Sequence, residues 1–357
     1  MTGTWAKNTL TEMLGIDLPI VLGPFGGASS VELVSSVSNA GGLGSYGLYG
    51  LTAKRITAVA AEIRALTDRP FALNLWLPMD EAQNQLPGQA EFDAYVQTLA
   101  PYFDELDLPL PERPDSYLVS FAEQIDAAIA AKPKVLSFVY GVPSAELLER
   151  CREAGILVIG TATTVDEAVA LDAAGVDAVV ATGFEAAGHR VAFLRAAEES
   201  LVGTISLVPR VVDAVRVPVI AAGGVADGRG VAAVLALGAS AAQIGTAFLA
   251  CDESAANPPH RAELWSAHAA ETVLTRAFSG RLARGIPNRM SRELANVRHA
   301  PFPVQNWLTG QIKRAAAAQA NPDLTSLWAG QSAPLIHHTN SDDLITAIVR
   351  DVDAVLR

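Results

Sequence analysis

His189 ends the run Val-Asp-Ala-Val-Val-Ala-Thr-Gly-Phe-Glu-Ala-Ala-Gly-His-Arg, residues 176–190. Val176 to Ala181 is short and apolar apart from Asp177, as a parallel strand covered on both faces is. Gly183 and Gly188 then allow a sharp turn and a close approach of the backbone. An imidazole just past such a strand is placed for acid–base work, because its ordinary pKa lies near neutrality. A loop histidine with a satisfied hydrogen bond is the plainer reading of the same residue.

A second kind of chemistry is written further on. Ala221-Ala222-Gly223-Gly224-Val225-Ala226-Asp227 is a strand end, a double glycine and a helix start. Gln243-Ile244-Gly245-Thr246-Ala247 is another strand end followed by Gly-Thr. Glycines let backbone N–H groups reach phosphate oxygens, and a helix N-terminus favours the anion. Gly42-Leu43-Gly44-Ser45-Tyr46-Gly47 matches G-x-G-x-x-G but follows a helical pattern, so it is no dinucleotide fingerprint. The chain has no H-E-x-x-H, C-x-x-C, P-loop or G-x-S-x-G, and no lysine at a strand end. One acid–base group and a phosphate site, without nucleophile or metal ligands, point to a bound cofactor that carries the hard chemistry.

These residues need a frame. Eight short apolar strands are expected: Leu18–Leu22, Gly41–Ser45, Phe71–Leu75, Val135–Val139, Leu157–Gly160, Val176–Ala181, Val217–Ala221 and Ala241–Gly245. Helical patterns fill the gaps at Ser30–Ala40, Thr52–Leu66, Ser120–Ala131, Ser144–Ala154, Val165–Ala174, Ser206–Val215 and Gly228–Leu237. Strand and helix in alternation imply right-handed βαβ units, and eight of them imply an α/β (β/α)₈ TIM barrel. The eighth helix is displaced to Ser341–Leu356, after a long insertion. The phosphate loops then follow strands seven and eight, where barrels often hold phosphate.

Two segments exceed ordinary loop lengths. Residues 76–117 follow strand three, carry six prolines and many acids, and read as a lid-like insertion. Residues 252–333 read as a mostly helical cap over the barrel mouth, with an ordered turn at 278–288. The expected division is a barrel of residues 1–251 and 334–357 and a cap of 252–333.

Composition sets limits. In 357 residues with half of them apolar there is material for one large core. The net charge of −12 argues against nucleic acid or an anionic membrane as partner. Cys151 and Cys251 fit neither a disulfide framework nor a metal spacing, and read as buried residues of a reducing cytoplasm. The N-terminus lacks an apolar signal core. Val231–Ala250 is uncharged over a membrane-spanning length, but Gly238, Ser240, Gln243, Gly245 and Thr246 break it into helix, turn and strand.

Several motifs together resemble the nitronate monooxygenases, formerly called 2-nitropropane dioxygenases. They are Pro19–Gly27 with Ser38–Gly44, Asn74, Glu185–Arg190, Pro218–Asp227, Gln243–Phe248 and Gly280–Asn288. Phe302–Asn306 and Leu327–Gln331 are similar to the class I branch. The resemblance implies an FMN-dependent barrel that oxidises alkyl nitronates with O₂ to a carbonyl compound and nitrite, without NAD(P)H. It implies that His189 is the catalytic base or orienting group, and that Asn74 bonds the flavin ring. Gly23, Pro24 and Phe25 would pack along the ring, beside Thr182, Ala187 and Gly188. Gly223, Gly224, Gln243, Ile244, Gly245 and Thr246 would hold the phosphate. Val139, Tyr140, Arg190 and Phe302 are the expected substrate pocket. The expected partners are a small nitronate, or a nitroalkane, and O₂, with a homodimer left open.

The chain departs from the family pattern at four places. Thr182 stands where Gln is frequent, Ala187 and Val191 where Gly is usual, and Val139 where His is frequent. The first two alter cofactor contacts, and the last two make the pocket wall apolar. Two alternatives stand beside the main reading: an NAD(P)H-dependent flavin reductase of quinone or enoyl type, and a barrel that binds a phosphate ligand without turnover.

Overall fold

Eight parallel strands close on themselves in the computed structural model, which describes residues 3–78 and 86–356. In chain order the strands are β1 Ile20–Leu22, β2 Gly44–Gly47, β3 Phe71–Trp76, β4 Val135–Val139, β5 Leu157–Ala162 and β6 Ala178–Thr182. A two-residue strand, β7 Gly188–His189, precedes β8 Val219–Ala222 and β9 Ala241–Ile244. The barrel order is β1-β9-β8-β6-β5-β4-β3-β2. The last gap is bridged where Leu43 N donates to Ile20 O and Leu22 N to Leu43 O, both at 2.9 Å. The fold is therefore an α/β TIM barrel, and each expected strand overlaps an observed one.

The strands are buried on both faces, which is why they read as unbroken apolar runs. Val21, Leu43, Ala72, Ile159, Val180 and Ile220 form an inner cluster, joined by Leu10 and Leu14 of the helix Thr9–Leu14. Outside the strands a larger core packs them against the surrounding helices. The fit is tight: a Cβ on Gly44 would collide with the carbonyl of Val34 in the helix Val31–Asn39. Ser30, Thr52, Ser120, Ser144 and Thr164 cap the helices that follow them, each bond worth about 1 kcal/mol. The uncharged stretch 231–250 divides among the helix Gly228–Ala236, β9 and the short helix Thr246–Leu249. Among the described residues no helix is long and apolar enough to cross a membrane. The helix Ser341–Val355 packs beside Gly228–Ala236 as the eighth outer helix.

The insertions carry more regular structure than their sequences announce. Part of the expected lid, residues 79–85, lies outside the described residues. The remainder holds a 17-residue helix, Gln89–Glu105, with Pro101 inside it. Residues 252–333 contain the helices Pro258–Leu264, Arg289–Glu293 and Val304–Ala318, and two strands, β10 Val273–Thr275 and β11 Ala283–Gly285. The segment 278–288 was expected as a turn; its centre is β11. It lies between β10 and β7 in an antiparallel three-stranded sheet. Phe92, Leu99 and Phe103 of the first insertion share one apolar cluster with Met290, Leu308 and Ile312 of the second.

Candidate active site

The C-terminal ends of the barrel strands open into a cavity of about 420 Å³. Gly23, Pro24 and Phe25 line it after β1, Asn74 on β3, Val139 at the end of β4 and Thr182 at the end of β6. Ala187, Gly188, His189 and Val191 line it from the next loop, and Gly223, Gly224, Gln243, Gly245 and Thr246 from the loops around β8 and β9. The structure thus gathers at one mouth residues spread over more than two hundred positions.

Gly223 and Gly224 both have left-handed backbone, φ 97° and 74°. A side chain at either is strained, and a Cβ on Gly223 would stand 3.0 Å from Gly183 O. Gly23 N donates to Ile244 O at 2.8 Å, tying the loop after β1 to β9. Ile244 itself does not line the cavity; its side chain is fully buried in the core outside the strands. The helix Gly228–Ala236, expected to offer its N-terminus to an anion, is already capped, because Asp227 Oδ1 accepts from Gly230 N at 3.1 Å. Asn74 donates from Nδ2 to Ser137 Oγ at 2.9 Å, which leaves its carbonyl oxygen to accept from a bound group.

His189 is pinned from three sides. Its backbone pairs with Ala283 of β11, its Nε2 lies 2.8 Å from Ser279 Oγ, and its ring sits between Trp76 and Trp328 at 5.1 and 5.5 Å. Burial, together with the charges of Arg281 and Lys313, pushes its pKa down to about 3. The imidazole is therefore neutral at neutral pH and a weak base.

Three expected pocket residues lie behind the cavity wall. Arg190 is 2% exposed. Its guanidinium donates to the carbonyls of Gly183, Thr182 and Ser200 at 2.6, 3.1 and 3.1 Å, so it braces the loop and does not stand in solvent. Tyr140 and Phe302 pack against Trp76, with ring centroids 5.0 and 5.6 Å away. They support the wall, while Val139 and Val191 form it.

Sequence reasoning missed several lining groups. Trp76, Tyr49, Glu185, Trp328 and Lys313 all face the cavity. Glu185 accepts from Thr204 N at 2.9 Å and from Thr204 Oγ1 at 3.0 Å, which orders the loop after β6. Lys313 donates to Asn306 Oδ1 at 3.1 Å, and Asn306 in turn donates to Tyr49 Oη at 2.9 Å. No carboxylate lies within ion-pair distance of Lys313 among the described residues, and burial lowers its pKa to about 8. Trp76 had a signal, as the last residue of an apolar strand. Lys313 had none, because its helix lies far along the insertion.

Glycine-lined loops and one buried imidazole at the C-terminal mouth of a TIM barrel mark the place where enzymes of this fold keep their active sites. The sequence model of the nitronate monooxygenase family matches residues 7–351. A probable nitronate monooxygenase of Staphylococcus aureus is 39% identical over 99% of both chains. The crystal structure of a nitroalkane oxidase from Streptomyces ansochromogenes superposes with a TM-score of 0.88 at 37% identity, covering 98% of this chain and 99% of that one. FabK from Thermotoga maritima follows with a TM-score of 0.75 at 29% identity, covering 98% and 97%. The chain belongs to the nitronate monooxygenase family and is an oxidoreductase acting on a small molecule.

Proposed function

We propose that this protein binds FMN and oxidises alkyl nitronates with O₂ to a carbonyl compound and nitrite. The observation that carries the substrate class is the Lys313 ammonium, which faces the cavity with the Asn306 amide oxygen as its one hydrogen-bond partner among the described residues. A buried cation without a carboxylate attracts an anion. The weakly basic His189 favours the same reading. A general base works best with a pKa near the working pH, and a nitronate arrives with its α-proton already gone.

The cavity fits a flavin phosphate in kind: the left-handed backbone at Gly223 and Gly224 keeps side chains away, and a Cβ at Gly188 would meet nothing within 4 Å. Asn74 would bond the ring, with Gly23, Pro24 and Phe25 along it and Thr182, Ala187 and Gly188 at its edge. Gly223, Gly224, Gln243, Gly245 and Thr246 would hold the phosphate. When bound there, FMN supplies the electron transfer that no side chain of the cavity offers. His189, held by Ser279, orients the nitronate beside Lys313; Trp76, Val139 and Val191 exclude water from its alkyl part. Residues 252–333 act as the cap, over a barrel of 1–251 and 334–357, and 76–117 as its lid. The protein works as a cytoplasmic enzyme.

The likeness to FabK favours one second reading, an NAD(P)H-dependent flavin reductase. Spectroscopy separates them. Purified protein should be yellow and release FMN on denaturation. Without oxygen, ethylnitronate should bleach the flavin while NADH and NADPH do not, and with air nitrite should form. Fast bleaching by a nicotinamide nucleotide alone would establish the reductase, and a protein that stays colourless with added FMN would leave a phosphate-binding barrel.

A further inference from the structure

We infer that the protein carries a second ligand site, outside the cavity, for one organic carboxylate with a short alkyl chain. A groove of about 550 Å³ runs along the outer side of the Tyr140–Phe302 wall. At its base the Arg281 guanidinium lies between two aromatic faces, 4.1 Å from the Tyr140 centroid and 3.9 Å from that of Phe302. The other arginines of the groove are engaged. Arg195 pairs with Asp166, Arg276 with Glu198 at 2.6 Å, and Arg190 with three carbonyls. Arg281 makes no ion pair among the described residues. Its charge therefore rests on aromatic rings and has no carboxylate partner among the described residues.

Two further observations point into this groove. The Tyr140 hydroxyl, 4% exposed, lies beside the Arg281 guanidinium, which acts on it by charge and hydrogen bonding, and its backbone is held at φ 72°. A non-glycine residue held in the left-handed region beside the one unpaired guanidinium of the groove is a conformation that surroundings must impose, as they do at ligand clamps. The other walls are apolar: Ala192, Phe193, Leu194, Leu282 and Pro301. A planar guanidinium takes a carboxylate through two parallel bonds. A single free cation among apolar walls matches one negative charge with an alkyl tail, and not a dianionic phosphate.

Calorimetry with sodium hexanoate on the flavin-loaded protein tests the site, with inorganic phosphate as a second probe. Leu194 is 53% exposed at the groove mouth, so Leu194→Glu leaves fold and cavity alone. In Lys313→Met, whose cavity no longer attracts the anion, hexanoate should still bind, and adding Leu194→Glu or Arg281→Gln to that variant should weaken it at least ~10-fold, the scale of one charged hydrogen-bonded contact. Binding lost in Lys313→Met and kept in Leu194→Glu would move the ligand into the cavity and overturn the proposal. Absence of binding, or phosphate binding as tightly as hexanoate, would overturn it too.

Discussion

Ala283 lies opposite His189 in an antiparallel strand pair, so the histidine is fixed by a segment more than ninety residues further along the chain. The next bond in the ladder, Arg190 N to Leu282 O at 2.8 Å, extends the hold. The ring is fixed as well, by Ser279 and two tryptophans. A side chain so constrained contributes by geometry more than by basicity.

His189→Ala should retain its flavin, because the cofactor contacts proposed above come from other residues, most of them on other loops. Oxidation of pre-formed nitronates should fall by about 10²-fold or more, within the range for a positioned group at the reacting centre. With His189 neutral above about pH 3, wild type should use neutral nitroalkanes poorly throughout the neutral range. Steady-state nitrite release with both substrate forms checks this, and equal turnover of the variant and wild type would remove the residue from the mechanism.

Lys313→Met should raise KM for ethylnitronate by about tenfold, as loss of one charged contact does, with a smaller change in kcat. The sign of the pH dependence follows from a folded pKa lowered to about 8. The ammonium is present below pH 8 and lost above it, so the wild-type KM should rise through that range. In the variant the rise should vanish. A rise that persists in Lys313→Met would assign it to another group.

Gly224→Val forces a β-branched side chain into φ 74°, at a cost of about 1–3 kcal/mol. The variant should fold, with the far-ultraviolet circular dichroism of wild type, and purify without its yellow colour. Full flavin content in a folded Gly224→Val would place the phosphate elsewhere.

Val139 and Val191 give the pocket an apolar wall. Each additional methylene of a nitronate buried there should gain ~0.8 kcal/mol, about fourfold in kcat/KM. Activity should therefore rise from nitroethane to nitrohexane nitronates, and propionate 3-nitronate should be poor. Val139→His should shift preference toward that small dianion. A flat series in wild type would show that these two valines do not set specificity.

The strands were legible because each is short, apolar and buried on both faces, and the glycine loops of the cavity because Gly223, Gly224 and Gly245 stand at strand ends. Other features depend on partners distant in sequence. Arg190 reads the same whether solvated or braced by three carbonyls, and only the fold of its loop decides. Asp227 reads as a helix start, which it is, and only the fold shows its own carboxylate taking Gly230 N. The strand β11 is three residues long and acquires its identity by pairing with β7, which periodicity cannot register. Lys313 belongs to a helix whose pattern records its packing and not the cavity beside it.

The apolar cluster shared by Gln89–Glu105 and Val304–Ala318 has a dynamic consequence. These helices are held to each other by a core separate from that of the barrel, so they form one cooperative unit. Their amide hydrogens should exchange together, faster than those of β4, β5 and β6, in a partial opening that leaves the barrel intact. Because Asn306 and Lys313 on the second helix line the cavity, such an opening would also unseal it, and ligand exchange should slow when the cluster is tightened.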